Sequence, residues 1–440
     1  MPAFEVYMKI GVISLGCAKN LVDTEYLLGL LKESGQEIVK DRYEAEAVIV
    51  NTCGFIESAK VEAINTILDT ADLKEHCMKK LIVMGCLAQR YKKDLIEEFP
   101  EVDRFIAIDE YGNLGNILSE VLGVHIANTY GKTTRMLSAK PWMAYLRIAD
   151  GCDNKCSYCA IPLIRGPLRS FDEDSLVEEA ERLASIGVKE LNLIAQDSSR
   201  YGYDLDHQLH LSSLLKRLDA IEGFHWIRVL YLYPDEIPDD LIDTMKNSRH
   251  ILPYFDIPIQ HGSNRMLRAM NRRGNRELIL ERTRRIRREL PEAVLRTTLI
   301  TGFPGESEED HEDNLSLVKA VEWDHLGVFT YSKEEDTPAF DLEDDVPAEV
   351  KEERRKEIML VQEEIAHNRL VQREGTEDEV LVESYDPLTE MYIGRSALYA
   401  PDNIDGCVRI HTDSVHEAGD FVKVKYRRAS GQNMIADEVI

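Results

Sequence analysis

The feature that most constrains this chain is a repeated unit, a short β-rich apolar run followed by a helix-length, more polar stretch. "KIGVISLGCAKN" predicts a buried strand over Lys9–Leu15, with a helix from about Val22 to Ser34 behind it. "AEAVIVNTCGF" repeats the unit with a strand over Ala47–Asn51, and "KKLIVMGCLAQ" repeats it again over Lys80–Met84. Such alternation predicts parallel βαβ units. In a parallel sheet the carboxyl ends of all strands share one edge, and ligands bind in the crevice there. Each of these strands ends at a cysteine, Cys17, Cys53 and Cys86. Singly, each reads equally well as a small buried hydrophobe. Three at equivalent topological positions point to thiolate ligands. They are too few for structural zinc but suited to an iron–sulfur cluster with one open iron.

Bulk composition narrows the setting. A chain of 440 residues exceeds one core and predicts two to four domains. With 44% hydrophobic and 30% charged residues, it reads as soluble globular protein. The longest near-apolar run, Leu81–Ala88, is far short of a membrane span, so no membrane association is predicted. The opening "MPAFEVYMKI" lacks a basic-then-apolar leader. Eight cysteines are too sparse for a disulfide scaffold, which together with the missing leader predicts a reducing compartment, the cytoplasm. The formal charge of −27 disfavours nucleic acid unless a local basic patch exists, and favours a basic protein partner.

A second cysteine cluster lies in "DGCDNKCSYCAIP", where Cys152, Cys156 and Cys159 follow a predicted strand over Met143–Ala149. The alternation then resumes, with strands near Glu190–Ala195, Trp226–Tyr233, Tyr254–Ile259, Val294–Thr301 and His325–Tyr331. Ser170-Phe171-Asp172-Glu173 reads as a capping box opening a helix to about Ser185. Six βα units predict an open (βα)6 partial barrel with its functional loops at the strands' C-terminal ends. The C-x3-C-x2-C spacing supplies three thiolates and leaves one iron of a 4Fe–4S cluster open. A zinc site is the alternative, but no second C-x2-C or H-x3-H lies nearby to complete four ligands. Cys77 and Cys407 fit neither trio.

Other positions carry two readings each. Gly302 and Gly305 in "GFPGE" either let backbone approach a cofactor or form an ordinary strand-to-helix turn. Gln196 and Gln260 end predicted strands where a polar cofactor would lie, or serve as buried amides for loop backbone. "RTRRIRREL", Arg282–Leu290, reads as a solvated helix face, with nucleic-acid contact as the alternative.

The C-x3-C-x2-C loop after a first barrel strand resembles the radical S-adenosylmethionine superfamily, and the N-terminal trio narrows the resemblance to its methylthiotransferases. "ISLGCAKNLVDTE", "NTCGFIESAK", "MGCLAQRY", "DGCDNKCSYCAIPLIRG", "LIAQDSSRYG", "YLYPDEI", "FDIPIQHGSNRMLRAMNR" and "TTLITGFPGES" look like motifs of that family and span essentially the whole chain. The resemblance implies that Cys152, Cys156 and Cys159 hold the radical-generating 4Fe–4S cluster, whose open iron binds S-adenosylmethionine. It implies that Cys17, Cys53 and Cys86 hold a second 4Fe–4S cluster. Gln196, Gln260, Gly302 and Gly305 are then the expected S-adenosylmethionine contacts, and a low-potential electron donor is an expected partner.

Past an acidic loop, Ser332–Glu353, and a long helix to about Arg373, the pattern becomes short β runs that suit a small antiparallel barrel of the oligonucleotide-binding kind. In the resembling family this is the substrate-gripping TRAM domain. The expected domains are an α/β methylthiotransferase domain over 8–125, a radical S-adenosylmethionine domain over 138–373 and the TRAM barrel over 374–440. One branch of the family methylthiolates an aspartate of the twelfth small-subunit ribosomal protein; the other modifies an adenosine in the tRNA anticodon loop. Residues 374–440 hold 14 acidic and 6 basic residues, a net of −8. An RNA-gripping domain should be basic, whereas an acidic one suits a basic ribosomal protein. "SLGCAKNLVDTE" and "YLYP" also look like the ribosomal-protein branch, which is therefore the expected one, with nucleic acid confined to the alternative.

Overall fold

The computed structural model describes residues 7–439 apart from 133, 139, 238, 402 and 403; Ile440, the expected end of the last domain, lies outside them. The N-terminal region is a five-stranded, wholly parallel sheet. Its elements are β1 (Lys9–Ser14), α1 (Ala18–Glu33), β2 (Glu37–Val39), β3 (Ala47–Thr52), α2 (Glu57–Ala71), β4 (Lys80–Gly85), α3 (Cys86–Glu98), β5 (Arg104–Ile106) and α4 (Leu114–Leu122), with strand order β2-β1-β3-β4-β5. Side chains alternate across β3, so Ala47 and Ile49 join a core with α1 and α4, and Val48 and Val50 join one with α2 and α3. A strand buried on both faces is why "AVIV" is continuously apolar. The edge strands β2 and β5 are three residues each, too short to announce themselves in the sequence.

The central region runs β6 (Met143–Arg147), β7 (Ala149–Asp150), α5 (Ile161–Arg165), β8 (Arg169–Ser170), α6 (Glu173–Ser185), β9 (Glu190–Ile194), α7 (Tyr203–Asp206), α8 (Leu211–Asp219), β10 (Trp226–Val229), α9 (Asp239–Lys246), β11 (Tyr254–Asp256), α10 (Asn264–Ala269), α11 (Arg276–Glu289), β12 (Val294–Thr301), α12 (Glu308–Val321) and β13 (His325–Thr330). Two parallel three-stranded sheets, β10-β9-β6 and β11-β12-β13, meet through an Ile227–Ile251 bridge and a Leu232 N–H to Asp256 O bond of 2.8 Å. No pairing joins β6 to β13 among the described residues, so the six-stranded barrel is open as expected. Helix α6 is capped by Asp172, whose carboxylate accepts from Ser175 N–H, rather than by Ser170. Ser170 is instead held in β8, its N–H and Oγ both donating to Asp204. Four of the five arginines in Arg282–Leu290 are committed locally, Arg282 and Arg285 to Asp239, Arg287 to Asp324 and Arg288 to Glu289.

The acidic loop is not merely a surface strap. Glu334, 3% exposed, accepts from Glu57 N–H on α2 and Arg90 on α3, fastening this loop to the N-terminal sheet. Beyond it, α13 (Ala348–Val371) leads to a closed barrel of β14 (Glu377–Asp386), β15 (Met391–Ser396), β16 (Val408–His411), β17 (Phe421–Ser430) and β18 (Asn433–Glu438), in order β14-β15-β16-β18-β17. Its pairs are antiparallel except β16–β18, which is parallel, a departure from the expected all-antiparallel barrel. Closure needs that pair, because β18 re-enters between β16 and β17. This small barrel docks on the first residues of the central strands. Arg395 pairs with Glu190, Phe421 meets Trp226 edge-on at 4.8 Å, Asp405 accepts from Tyr254 Oη and Leu398 O accepts from His325. It therefore covers the end of the central barrel opposite the cysteine loop.

Candidate functional site

The first trio assembles because β1, β3 and β4 are neighbours in the sheet. Cys17 is the N-cap of α1, Cys53 directly follows β3, and Cys86 opens α3 after β4. The segments are in contact. A Cβ on Gly16 would lie 2.7 Å from Cys53 Cβ, and one on Gly54 would lie 2.8 Å from Leu87 N. Only glycine permits that approach. Asn20 ties the three ends together, donating to Leu15 O and Thr52 O while its Oδ1 accepts from Cys86 Sγ at 3.3 Å. Helices α1 and α3 start at their cysteines, and α2 starts shortly after Cys53. The positive ends of their dipoles thus face the trio and favour thiolate. Cys53 is further served by the N–H groups of Phe55 and Gly54.

The second trio sits on a loop closed by the antiparallel β7–β8 pair. Gly151, at φ +71°, starts it; a side chain there would strike Pro167 O, and Cys152 N–H donates to Gly166 O at 3.0 Å. Ser157 N–H and Oγ fasten the loop to Met270 O and Ala269 O. Cys156 Sγ is approached by Arg272 at 3.6 Å and Tyr233 Oη at 3.5 Å, with the guanidinium stacked 3.9 Å over the tyrosine ring.

Burial pushes the Cys86 and Cys159 thiols up to about 12 and Cys152 up to about 11. Buried thiols of this kind surrender their protons to a metal rather than to water, and a thiolate-only donor set is the one iron–sulfur clusters use. The residues present fit such a group. Among the described residues, no three Cys, His, Asp or Glu side chains close to the spacing of a single-ion site.

One physical link between the trios escaped sequence reading. Arg165, six residues past Cys159, crosses to the N-terminal sheet, donating to Asn20 Oδ1 at 2.9 Å and Asp23 Oδ2 at 2.8 Å with Cys86 Sγ at 3.9 Å. Asp23 also accepts from Arg147 at 2.5 Å and Tyr130 Oη at 3.0 Å. Burial raises the affinity of Asp23 for its proton, but Arg147 and Arg165 overcome this and hold the carboxyl below its ordinary range. A cavity of about 970 Å³ opens beside this junction, lined by Asp23, Tyr26, Tyr111, Tyr130, Arg147 and Arg165 among others. The clue was in the sequence, since "CAIPLIRG" places an arginine in a motif already tied to the site.

The remaining sequence candidates fall in different places. Gln196, just past β9, buries an Oε1 without a partner among the described residues, as Asn154 does with its Oδ1 in the cysteine loop. Such orphaned acceptors beside the second trio fit a polar cofactor. Gln260 adopts φ +73° and Tyr231 φ +63°, left-handed conformations that β-region sequence patterns do not foretell. The turn at Tyr231 cuts the predicted strand Trp226–Tyr233 short at Val229, while the predicted strand Tyr254–Ile259 stops at Asp256, two residues before Pro258, which has no N–H for a ladder. Gly302 faces the Lys351 side chain, while Gly305 has only Arg265 Nη1 within 4 Å of a would-be Cβ. Cys77 is exposed and donates to Tyr43 O; Cys407 belongs to the small barrel and donates to Asn433.

Comparison with known proteins places this geometry. Residues 9–107 match the uncharacterized protein family UPF0004, residues 146–318 the radical SAM superfamily and residues 375–439 the TRAM domain. A protein of Lachnoclostridium phytofermentans named ribosomal protein uS12 methylthiotransferase RimO is 45% identical over 437 residues, 97% of this chain and 99% of its own. Proteins of the same name from Acetivibrio thermocellus and Geobacter sulfurreducens are 45% and 44% identical, each covering 98% of both chains. Among solved structures, the radical S-adenosylmethionine methyltransferase TsrM of Kitasatospora setae, with cobalamin and a [4Fe-4S] cluster bound, superposes with a TM-score of 0.56 at 14% identity, covering 76% of this chain and 77% of that one. The cobalamin-dependent radical enzyme OxsB gives 0.52 at 11%, covering 81% and 56%. At those identities the two structures speak for the fold alone. By its full-length relatives, the chain belongs to the RimO family of radical S-adenosylmethionine methylthiotransferases.

Proposed function

We propose that this enzyme methylthiolates an aspartate side chain of ribosomal protein uS12, using two 4Fe–4S clusters and S-adenosylmethionine. The observation that carries the reading is the full-length similarity to proteins named for that activity, and the net charge of −8 in residues 374–440 supports it. Since the small barrel docks away from the cysteine loop, its acidity would act on the basic substrate protein at a distance from the chemistry. The domain limits 8–125, 138–373 and 374–440, and a cytoplasmic setting with a low-potential electron donor, belong to the same proposal.

Cys152, Cys156 and Cys159 would hold the cluster that engages S-adenosylmethionine, and Cys17, Cys53 and Cys86 the second. Bound there, these groups supply reductive cleavage of the sulfonium to a 5′-deoxyadenosyl radical and a sulfur to be methylated and transferred. The chain's own part is placement and charge. Arg272 and Tyr233 orient Cys156 and supply a cation and a hydrogen bond beside its thiolate. Arg165 supplies a cation beside Cys86 and, through its bonds to Asn20 and Asp23, fixes the distance between the two loops. Gln196, Gln260, Gly302 and Gly305 remain the proposed positions around S-adenosylmethionine.

The test is anaerobic reconstitution, iron and sulfide analysis, and mass spectrometry of a uS12 peptide and an anticodon stem-loop RNA incubated in parallel. About eight irons per chain and a modified peptide are expected. A modified RNA beside an untouched peptide would refute the substrate assignment.

A further inference from the structure

Lys19 is the second residue of α1 and only 7% exposed. An ammonium buried to that degree is costly unless a carboxylate or other acceptor meets it. Among the described residues, Lys19 Nζ has neither an ion-pair partner nor a hydrogen-bond acceptor. What it does have is the ring of Tyr231, whose centroid lies 3.4 Å from Nζ. Tyr231 stands just past β10, at the C-terminal end of the central strands. Lys19 therefore reaches from the N-terminal sheet to the mouth of the central barrel, two residues from Cys17.

The platform under it is built rather than incidental. Tyr231 is held at φ +63°, a strained conformation for an aromatic residue, by its N–H donating to Asp256 Oδ2 at 3.0 Å and its carbonyl accepting from Ser198 N–H at 2.9 Å. The neighbouring cations are already committed. Arg165 is engaged by Asn20 and Asp23, Arg147 by Asp23, and Arg272 by Pro258 O and Cys156. Of these four, and among the described residues, Lys19 alone has neither an ion pair nor a hydrogen bond; the carboxylates of Asp256 and Asp150 act on it only through space.

We propose that Lys19 binds the β-carboxylate of the substrate aspartate and so selects an acid over a neutral side chain at the reacting carbon. The inference rests on the substrate reading above. The carboxylate of an aspartate is attached to the carbon that receives sulfur, so an ammonium beside Cys17 and the barrel mouth meets it when that carbon lies between the two loops. A neutral purine offers no such anion.

The experiment compares two uS12-derived peptides, one with aspartate and one with asparagine at the target, on reconstituted wild-type, Lys19→Gln and Lys19→Arg enzymes. The readouts are peptide affinity by fluorescence anisotropy, kcat/KM for methylthiolation, S-adenosylmethionine affinity and iron content. Wild-type enzyme should favour the aspartate peptide by about 10- to 100-fold, the range of one hydrogen bond between charged groups. Lys19→Gln should bring that ratio to within about threefold of unity with iron content retained, and Lys19→Arg should keep the preference. A Lys19→Gln enzyme that keeps the wild-type ratio, loses its iron, or loses S-adenosylmethionine affinity with the ratio intact overturns the assignment to Lys19 alone. A wild-type enzyme that modifies neither peptide overturns the substrate reading, and this inference with it.

Discussion

The seam between the small barrel and the central domain yields a sharp energetic prediction. Arg395 and Glu190 are both fully buried and joined by two bonds, Nη2 to Oε2 at 2.5 Å and Nη1 to Oε1 at 3.2 Å. Arg395 Nε also donates to Glu383 at 2.8 Å, and Lys140 closes on Glu383 at 2.6 Å. In Arg395→Met, Glu190 keeps Arg228, 3.6 Å away, as its one ion-pair partner among the described residues, with Lys140 acting only from further off. Removing one partner of a buried pair costs about 3–5 kcal/mol. With a slope near 2–3 kcal/mol per molar urea, the midpoint should fall by about 1–2 M. Trp142 and Trp226 pack in this seam, so intrinsic fluorescence reports the transition. Most of the loss is the orphaned carboxylate rather than the lost attraction. Adding Glu190→Gln to Arg395→Met should therefore recover part of it, because the amide carries no charge to strand, while Arg228 loses its carboxylate and keeps the Tyr254 ring 4.2 Å away. A single variant costing under about 1 kcal/mol, or a double variant no better than the single, would refute the reasoning.

Cys156→Ala should abolish 5′-deoxyadenosine formation, whereas Cys53→Ala should leave it largely intact and block sulfur transfer, both measured by liquid chromatography of anaerobic turnovers; joint loss in Cys53→Ala would contradict separate roles for the trios. Cys77→Ser and Cys407→Ser should hold iron content at the wild-type level and change stability by no more than about 0.5 kcal/mol, since serine can keep the bonds to Tyr43 O and Asn433. Asp324 is buried, which raises its pKa, but Arg287 and Arg369 outweigh this and hold it below the ordinary carboxylate value. Its contribution is therefore full above the unfolded carboxylate pKa near 4 and is lost as pH falls through the lower folded value. Asp324→Asn should cost about 3–5 kcal/mol at pH 7 and progressively less below about pH 4, read by urea unfolding with circular dichroism.

The parts of this molecule that periodicity governs were legible in the sequence, and those set by local strain or by partners far along the chain were not. "AVIV" and "KLIVMG" declare buried parallel strands because both their faces are covered, and the cysteines that follow them inherit their position from the sheet. Helix α1 begins at Ala18 rather than Val22 because Cys17 itself takes the N-cap position, which a thiol does not advertise. The left-handed turns at Tyr231 and Gln260 belong to residue types that ordinarily avoid that conformation, so no pattern marks them. Strand β18 has little signature of its own, because its short run gains meaning only by closing a barrel between two partners. Arg165 lay in a recognised motif, but its role depends on Asn20 and Asp23, residues of a different domain.

By contact order, the two thiol trios are expected to form at different moments of the chain's folding. The loop trio spans Cys152 to Cys159 and is nearly complete as a local turn, so it is able to capture metal before long-range contacts form. Cys17, Cys53 and Cys86 become neighbours only once three crossovers have set β1, β3 and β4 side by side, a late event because non-local pairing is slow. Under the proposed ligand assignment, loading of the N-terminal centre is a readout of a finished sheet. A substitution anywhere in that sheet's core should then empty this centre while sparing the other, and would pass for a ligand defect unless folding were measured alongside.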